Sequence, residues 1–378
     1  MKLEQHSQTD YVLIAIVFII IFFGLIMLSS ASSVIAYQNY QDSNYLWKHQ
    51  LFNGVLLGLL FMFIASKIHY LKWQKFAIPM LAITILALFL VLASGAGISS
   101  GGATRWINLG FFSFQPSELA KLTFIIYLAT WFSKKGKLMN DFAYGFVPFL
   151  VLLGIITILI MMQPDLGTMT VIALVSVAVF FIAGGSIKNI LLIVTGGISL
   201  FAILIKIAPY RAARLSVFLN PELDPQGIGY HINQALLAIG SGGLLGLGLG
   251  RSRQKYNYLP EATTDSIFAI IAEELGLIIS VLLIALFAIL MIRGFKIARN
   301  APDQFGKLLA AGITCWFTIQ AVINIGAMVS LLPLTGIPLP FVSYGSSAIV
   351  ISMAAIGILI NISKYSTQTS RQTTRSHR

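Results

Sequence analysis

Only 10% of the 378 residues are charged, and only 13 are acidic. A water-soluble chain carries roughly a quarter charged residues, so an ordinary soluble domain is excluded as the main body. Cysteine is almost missing. Cys315 stands alone inside a hydrophobic stretch, which rules out a disulfide framework and a thiolate metal site. Histidine is scarce too, and His6, His49, His69, His231 and His377 share no metal-ligand spacing. The shortage of carboxylates leaves a formal net charge of +12. That excess sits in short clusters between apolar runs, so it does not form the continuous basic face that a nucleic-acid partner needs.

What the chain has instead is apolar length. Apolar residues make up 57% of it, in runs of about 17 to 27 residues. Runs of that length are membrane-span candidates, and in hydrocarbon they must be helical because backbone amides cannot go unpaired. The expected fold is therefore all-α, a polytopic integral membrane protein with about ten transmembrane helices. They fall near 11–31, 47–66, 76–94, 117–133, 143–162, 167–184, 188–207, 266–292, 305–330 and 346–363. The first run, Tyr11 to Ser30, spans and lacks a strongly basic flank, so it reads as a retained first helix and not a signal peptide.

Alternate connections carry the basic residues: Lys67, Lys72 and Lys75; Lys134, Lys135 and Lys137; Lys188; Arg293, Lys296, Arg299 and Lys307. Under the positive-inside rule these connections are cytoplasmic, and so are both termini. The organisation that follows is a cytoplasmic segment 1–10, a transmembrane domain 11–363 and a basic cytoplasmic tail 364–378.

Two irregular segments fall on the other, extracytoplasmic side. Residues 208–264 form a long loop that holds Arg211 and Arg214, turns at Pro221 to Pro225, and a glycine-rich stretch from Tyr230 to Leu249 suited to a short re-entrant helix. Residues 331–347 contain Pro333, Gly336, Pro338, Pro340 and Gly345, which break any helix. Non-helical backbone at that depth must be buried in protein or line a wet cavity. Both segments share one side, so the working surface is expected to be extracytoplasmic.

Ionisable residues in spans are functional candidates by default. Glu118 and Lys121 lie on one helical face within pairing reach, which suits either a structural ion pair or a cavity where Lys121 meets an anionic substrate. Arg105 lies in a flexible turn next to the interfacial aromatic Trp106. Asp165, between two spans, suits an N-cap or a cavity residue. Arg211 and Arg214, three apart, suit a diphosphate or an interfacial anchor. Asp265 stands at the outer end of a hydrophobic helix, as either a cap or a reacting carboxylate. Glu273 is about 80° around and roughly 12 Å along that helix, too far for a shared two-carboxylate site.

Ordered blocks along nearly the whole chain carry a resemblance. They are Gly102-Ala103-Thr104-Arg105-Trp106-Ile107, Gln115-Pro116-Ser117-Glu118-Leu119-Ala120-Lys121, Gln163-Pro164-Asp165-Leu166-Gly167-Thr168 and Tyr210-Arg211-Ala212-Ala213-Arg214-Leu215. Further along come Gln234 with Ala238 to Gly243, Leu259-Pro260-Glu261 with Thr264-Asp265, and Asn324-Ile325-Gly326 with Leu332 to Gly345, which includes Ser343. Together they resemble the SEDS family, the peptidoglycan glycosyltransferases of bacterial division, elongation and sporulation. The resemblance implies polymerisation of lipid II, the undecaprenyl-diphosphate disaccharide-pentapeptide, outside the cytoplasmic membrane. It places the family's essential aspartate on Asp265 and its important glutamate and lysine on Glu118 and Lys121. Arg105, Asp165, Arg211, Arg214, Gln234 and Ser343 are then candidate cavity residues. It also implies a class B penicillin-binding protein as partner, with other division proteins.

Ala262-Thr263, Ser266 and Ser346 depart mildly from common family wording without removing a proposed catalytic group. Ala272-Glu273-Glu274-Leu275-Gly276 and Lys255 to Pro260 look more like the division member than the rod-shape one, which places the chain at the septum. No cofactor follows from the residues, although a magnesium or manganese ion near the diphosphate is compatible with the chemistry. A lipid II flippase and a non-catalytic scaffold are the competing functions, and an elongation-type member of the same polymerase family is the alternative role. A flippase would present polar groups to both leaflets, whereas the unusual groups here gather on the outer side.

Overall fold

The computed structural model describes residues 9–93, 97–100, 103–108, 113–207, 216–218 and 227–365. Each of the ten expected spans falls on a helix. In chain order, α1 is Tyr11–Ala31, followed on the outer side by the short helices α2 (Ser33–Tyr40) and α3 (Tyr45–His49). A π-helical stretch, Gln50–Leu56, joins α3 to α4 (Leu57–Lys67), and α5 is Leu71–Ala93. Then come α6 (Pro116–Lys135), α7 (Val147–Met161), α8 (Leu166–Ile182) and α9 (Ile187–Ile207). The last four are α10 (Ile228–Gly242), α11 (Ile267–Arg299), α12 (Gln304–Met328) and α13 (Ser346–Lys364). Among the described residues, seven helices are long and apolar enough to cross a membrane by length and composition. Leu166–Ile182 and Ile187–Ser199 are shorter apolar helices, and α6 carries Glu118 and Lys121 within its outer turns.

Burial separates centre from rim. In α12 and α13, 78% and 83% of the apolar stretch is buried, against 28% in the span Tyr45–Lys67 and in α5. α6 is buried along almost its whole length, so α6, α12 and α13 form the centre. α4 packs along α13, where Gly54 and Gly58, four residues apart, meet Ile349 and Met353. Small residues at that spacing let membrane helices approach closely. At the inner end, Asp10 caps α1 by accepting from Leu13 N at 3.0 Å. Its carboxylate also pairs with Arg293 of α11 at 2.7 Å.

The structure corrects the sequence expectation in two places. Around Arg105 the flexible turn is replaced by a small antiparallel sheet, in which β1 (Gly97–Ser100) pairs with β2 (Ala103–Asn108) and β2 with β3 (Ser113–Phe114). β2 is rich in β-branched and aromatic residues, which suit a pleated, half-buried surface. The second correction concerns α11, expected as one span near 266–292. It runs to Arg299 and is broken at Gly276, whose φ of 76° and ψ of −177° are not helical.

The glycine-rich loop after α10 fills that break. Leu247 N and Gly248 N donate to the carbonyls of Glu273 and Glu274 at 3.0 and 2.9 Å. Leu277 N and Ile278 N donate to the carbonyls of Gly243 and Leu244 at 2.9 and 3.3 Å. The helix gives up its own ladder bonds and recovers them from another segment, as backbone at membrane depth must. Gly276 admits no side chain, since an added Cβ would lie 2.4 Å from Gly246 N, and its φ and ψ belong essentially to glycine. Gly276→Ala is therefore expected to destabilise the protein by more than about 2 kcal/mol. The check is a lower unfolding temperature and a smaller monodisperse yield in detergent.

Candidate active site

Asp265 lies two residues before the start of α11 and is buried. It is not at the N-cap position. Ser266 holds the N-cap position and makes no side-chain cap bond. The backbone around Asp265 is held from outside its own segment. Tyr344 N donates to the Thr263 carbonyl at 2.9 Å. Ser343 Oγ donates to the Thr264 carbonyl and accepts from Leu339 N at 2.8 Å. Asn324 Nδ2 donates to the Asp265 carbonyl at 2.7 Å and to the Ile337 carbonyl at 2.8 Å. Three successive carbonyls are thus fixed by α12 and by the proline-rich outer loop. Gly336 of that loop lies so close to the carboxylate that an added Cβ would stand 3.8 Å from Asp265 Oδ2. From α10, His231 Nε2 meets Ser266 Oγ at 2.7 Å.

Glu118 and Lys121 form the expected ion pair at 2.8 Å, with each residue only 2% exposed. Lys121 Nζ also donates to Gln320 Oε1 at 3.0 Å and sits 5.1 Å from the centre of the Trp316 ring. Gln320 in turn donates to the Pro338 carbonyl at 2.8 Å. The void beside Lys121 and Trp316 is ≈ 10 Å³, about the room one water needs. Lys121 therefore meets protein partners where the sequence allowed it to face an anionic substrate. The pair joins α6 to α12 and, through Gln320, to the outer loop.

Gln320 and Asn324 lie four apart on one face of α12 and hold the neighbouring carbonyls of Pro338 and Ile337. This places the ion pair and Asp265 on the same loop. Glu118 Oε2 is buried and has no hydrogen-bond partner among the described residues. Sequence reasoning quoted Asn324 only inside a motif block and missed Gln320. Their spacing of four, facing a proline-rich loop short of backbone donors, was the available signal.

Arg105 and Asp165 both secure the turn between α7 and α8. Arg105 Nε donates to the Gln163 carbonyl at 3.1 Å, and its Nη2 donates to the Pro164 carbonyl. Asp165 caps α8, accepting from Thr168 N at 3.0 Å and Thr168 Oγ1 at 2.9 Å. Gln234 is half-buried on α10. Arg211 and Arg214 lie outside the described residues.

Glu273 and Glu274 are buried and structural. Glu273 accepts from Arg253 N at 2.9 Å and from Ser252 Oγ. Glu274 accepts from Gly250 N at 3.0 Å and Ser30 Oγ at 2.7 Å, and pairs with Lys255 at 3.0 Å. The two carboxylates pin the loop that fills the helix break. Among the described residues, no three or more His, Cys, Asp or Glu gather as a metal-ligand set.

The cell cycle protein family model of FtsW, RodA and SpoVE matches residues 10–368. Stage V sporulation protein E of Bacillus subtilis (strain 168) is 44% identical over 363 residues, covering 96% of this chain and 99% of that protein. The probable peptidoglycan glycosyltransferase FtsW of Trichlorobacter lovleyi is 41% identical over 357 residues, 94% of this chain and 93% of that one. Among solved structures, a chain of a peptidoglycan synthase complex that coordinates polymerization and crosslinking superposes with a TM-score of 0.79 at 26% identity, covering 94% of this chain and 97% of that chain. The rod shape determining protein RodA of Thermus thermophilus superposes with a TM-score of 0.69 at 26% identity, covering 95% and 98%. The chain belongs to the SEDS family, the cell cycle proteins FtsW, RodA and SpoVE.

Proposed function

We propose that this multi-pass membrane protein polymerises lipid II into glycan strands on the outer face of the cytoplasmic membrane, with Asp265 as general base. The observation that carries the assignment is the placement of Asp265. The carbonyls of Asp265, Thr264 and Thr263 are held by Asn324, Ser343 and Tyr344, and Ser266, not Asp265, holds the N-cap position of the helix that follows. The donor sugar leaves with undecaprenyl diphosphate, a good leaving group that needs little protonation. The acceptor 4-hydroxyl is a poor nucleophile until its proton is removed. In the step, that oxygen bonds to the donor anomeric carbon, the bond from this carbon to the diphosphate breaks, and the proton passes to Asp265. The configuration inverts.

Arg211 and Arg214 are proposed to hold the diphosphate, for which guanidinium forks are suited. For Lys121 the proposed role is the buried tie, supported by an ammonium enclosed by Glu118, Gln320 and Trp316. The partner is a class B penicillin-binding protein that crosslinks the new strand, together with other division proteins at the septum. The test is reconstitution in detergent, where there are no membrane sides to cross. Glycan strands formed from lipid II with the partner present support a polymerase. No product under those conditions supports a flippase or scaffold.

Asn324 acts in this scheme as a positioning residue. Asn324→Ala frees the carbonyls of Asp265 and Ile337 together. A misplacement near 1 Å costs about a hundredfold, so kcat is expected to fall by that order while KM for lipid II changes little. A KM rise with kcat unchanged would place Asn324 in substrate binding instead.

A further inference from the structure

Two outer segments outside the site described above share an unusual composition. Residues 37–45 read Tyr-Gln-Asn-Tyr-Gln-Asp-Ser-Asn-Tyr, and residues 256–258 read Tyr-Asn-Tyr. The fold joins them, since Asn257 Nδ2 donates to Gln38 Oε1 at 2.8 Å. Tyr37, Tyr40, Tyr45, Tyr256 and Tyr258 are between 40% and 59% exposed, so each phenol has surface left to meet a ligand. Gln38, Asn39, Gln41 and Asn44 are exposed beside them.

Some of these rings form a line. Tyr40 stacks on Tyr45 with centroids 3.9 Å apart and planes 16° apart. Tyr45 is followed by His49 at 6.4 Å, and His49 by Tyr344 at 6.0 Å. His49 Nδ1 is 3.1 Å from both the Tyr344 hydroxyl and Ser346 Oγ, which fixes the inner end of the file. Burial pushes the Tyr344 phenol up to about 12, with the Tyr40 and Tyr45 phenols adding to the shift, so it stays protonated. The backbone N–H of Tyr344 donates to the Thr263 carbonyl, two residues before Asp265. A pocket of ≈ 180 Å³ borders the same surface, lined by Ile35, Lys255, Asn257 and Glu261 among others.

Tyrosines at a membrane interface are ordinarily an anchoring belt, placed around the perimeter. Here Tyr40 and Tyr45 stack and lead through His49 and Tyr344 toward the Asp265 loop, and exposed amides accompany them. Flat aromatic faces with neighbouring amides match the chemistry of a neutral sugar polymer, whose C–H faces stack on rings and whose hydroxyl and acetamido groups bond to amides. Tyrosine also supplies rigid amphipathic contact at low entropic cost. We infer that this surface binds the growing glycan strand, holding the sugars next to the one that reacts at Asp265. The inference rests on the polymerase function proposed above.

The test uses full-length protein in detergent and a soluble β-1,4-linked tetramer of N-acetylglucosamine, with binding followed by saturation-transfer NMR. Saturable binding is expected, weakened roughly threefold to tenfold by Tyr40→Ala or Tyr45→Ala. Tyr40→Trp should restore it, because the ring face returns. Asp265→Asn should bind as the parent does, since the surface lies outside the reacting group. With lipid II as substrate, the alanine variants should make shorter strands. Absence of saturable binding overturns the inference, as does equal binding by parent and Tyr40→Ala. If the alanine variants lose only co-purification with the transpeptidase, the surface belongs to a protein partner and the inference also fails. Parent protein that makes strands without binding the tetramer sinks this inference alone. Parent protein that binds the tetramer without making strands sinks the polymerase proposal instead.

Discussion

Asp265→Asn is expected to cut glycan synthesis from lipid II by about 10²- to 10⁴-fold, the usual range for a lost general base. The amide is nearly isosteric but cannot accept the acceptor's proton. Folding should survive, because the contacts that fix this segment use main-chain carbonyls. Asn324, Ser343 and Tyr344 hold the carbonyls of Asp265, Thr264 and Thr263, all of which remain in the variant. The experiment compares purified parent and variant for unfolding temperature, co-purification with the transpeptidase, and strand formation in detergent. Near-normal strand formation by the variant would remove Asp265 as base. Loss of insertion or of partner binding would assign it a structural role.

The second large effect is expected at Lys121, and it falls on stability. Lys121→Met leaves Glu118 as an unpaired carboxylate that is 2% exposed, with one oxygen already lacking a hydrogen-bond partner. Breaking one side of a buried ion pair costs roughly 3–5 kcal/mol. Lys121→Met combined with Glu118→Gln should recover most of that loss, because replacing both charges is often neutral. Activity should stay low in the double variant. Gln320 loses the Lys121 ammonium that helps orient it toward Pro338, and Pro338 adjoins the carbonyl that Asn324 holds. Unfolding temperatures of the three proteins in one detergent provide the check. A single variant as stable as the parent would remove the Glu118–Lys121 pair as a stabilising tie.

The ten helices were legible in the sequence because hydrocarbon imposes one solution on a long apolar run, whatever packs beside it. The irregular stretch after α12 was legible for the opposite reason. Pro333, Pro338 and Pro340 lack the backbone N–H that a helix requires. Glu118 and Lys121 could be paired from spacing alone, since residues three apart share a helix face. Asp165 could be read as a cap from its place just before an apolar run. Asp265 came from the motif resemblance, because a lone aspartate before a helix looks like a cap in any sequence.

Only the tertiary structure decided what these elements do to one another. The break at Gly276 is invisible in an apolar run, because the bonds that replace the helix ladder come from residues 243–248 of a different segment. The sequence set Glu273 aside as a partner for Asp265 but assigned it no contacts, and only the fold turned Arg253 N onto Glu273 and Gly250 N and Lys255 onto Glu274. Lys121 passed from substrate candidate to buried tie when Trp316 and Gln320 closed around it. The segments 37–45 and 256–258 are joined, through Asn257 and Gln38, only because the segment after α1 and the loop before α11 lie on the same side. Local pattern fixes which segments enter the membrane, since that depends on each segment's own solvation. Which backbone groups and side chains meet depends on packing between segments far apart in the chain, and no local period encodes that.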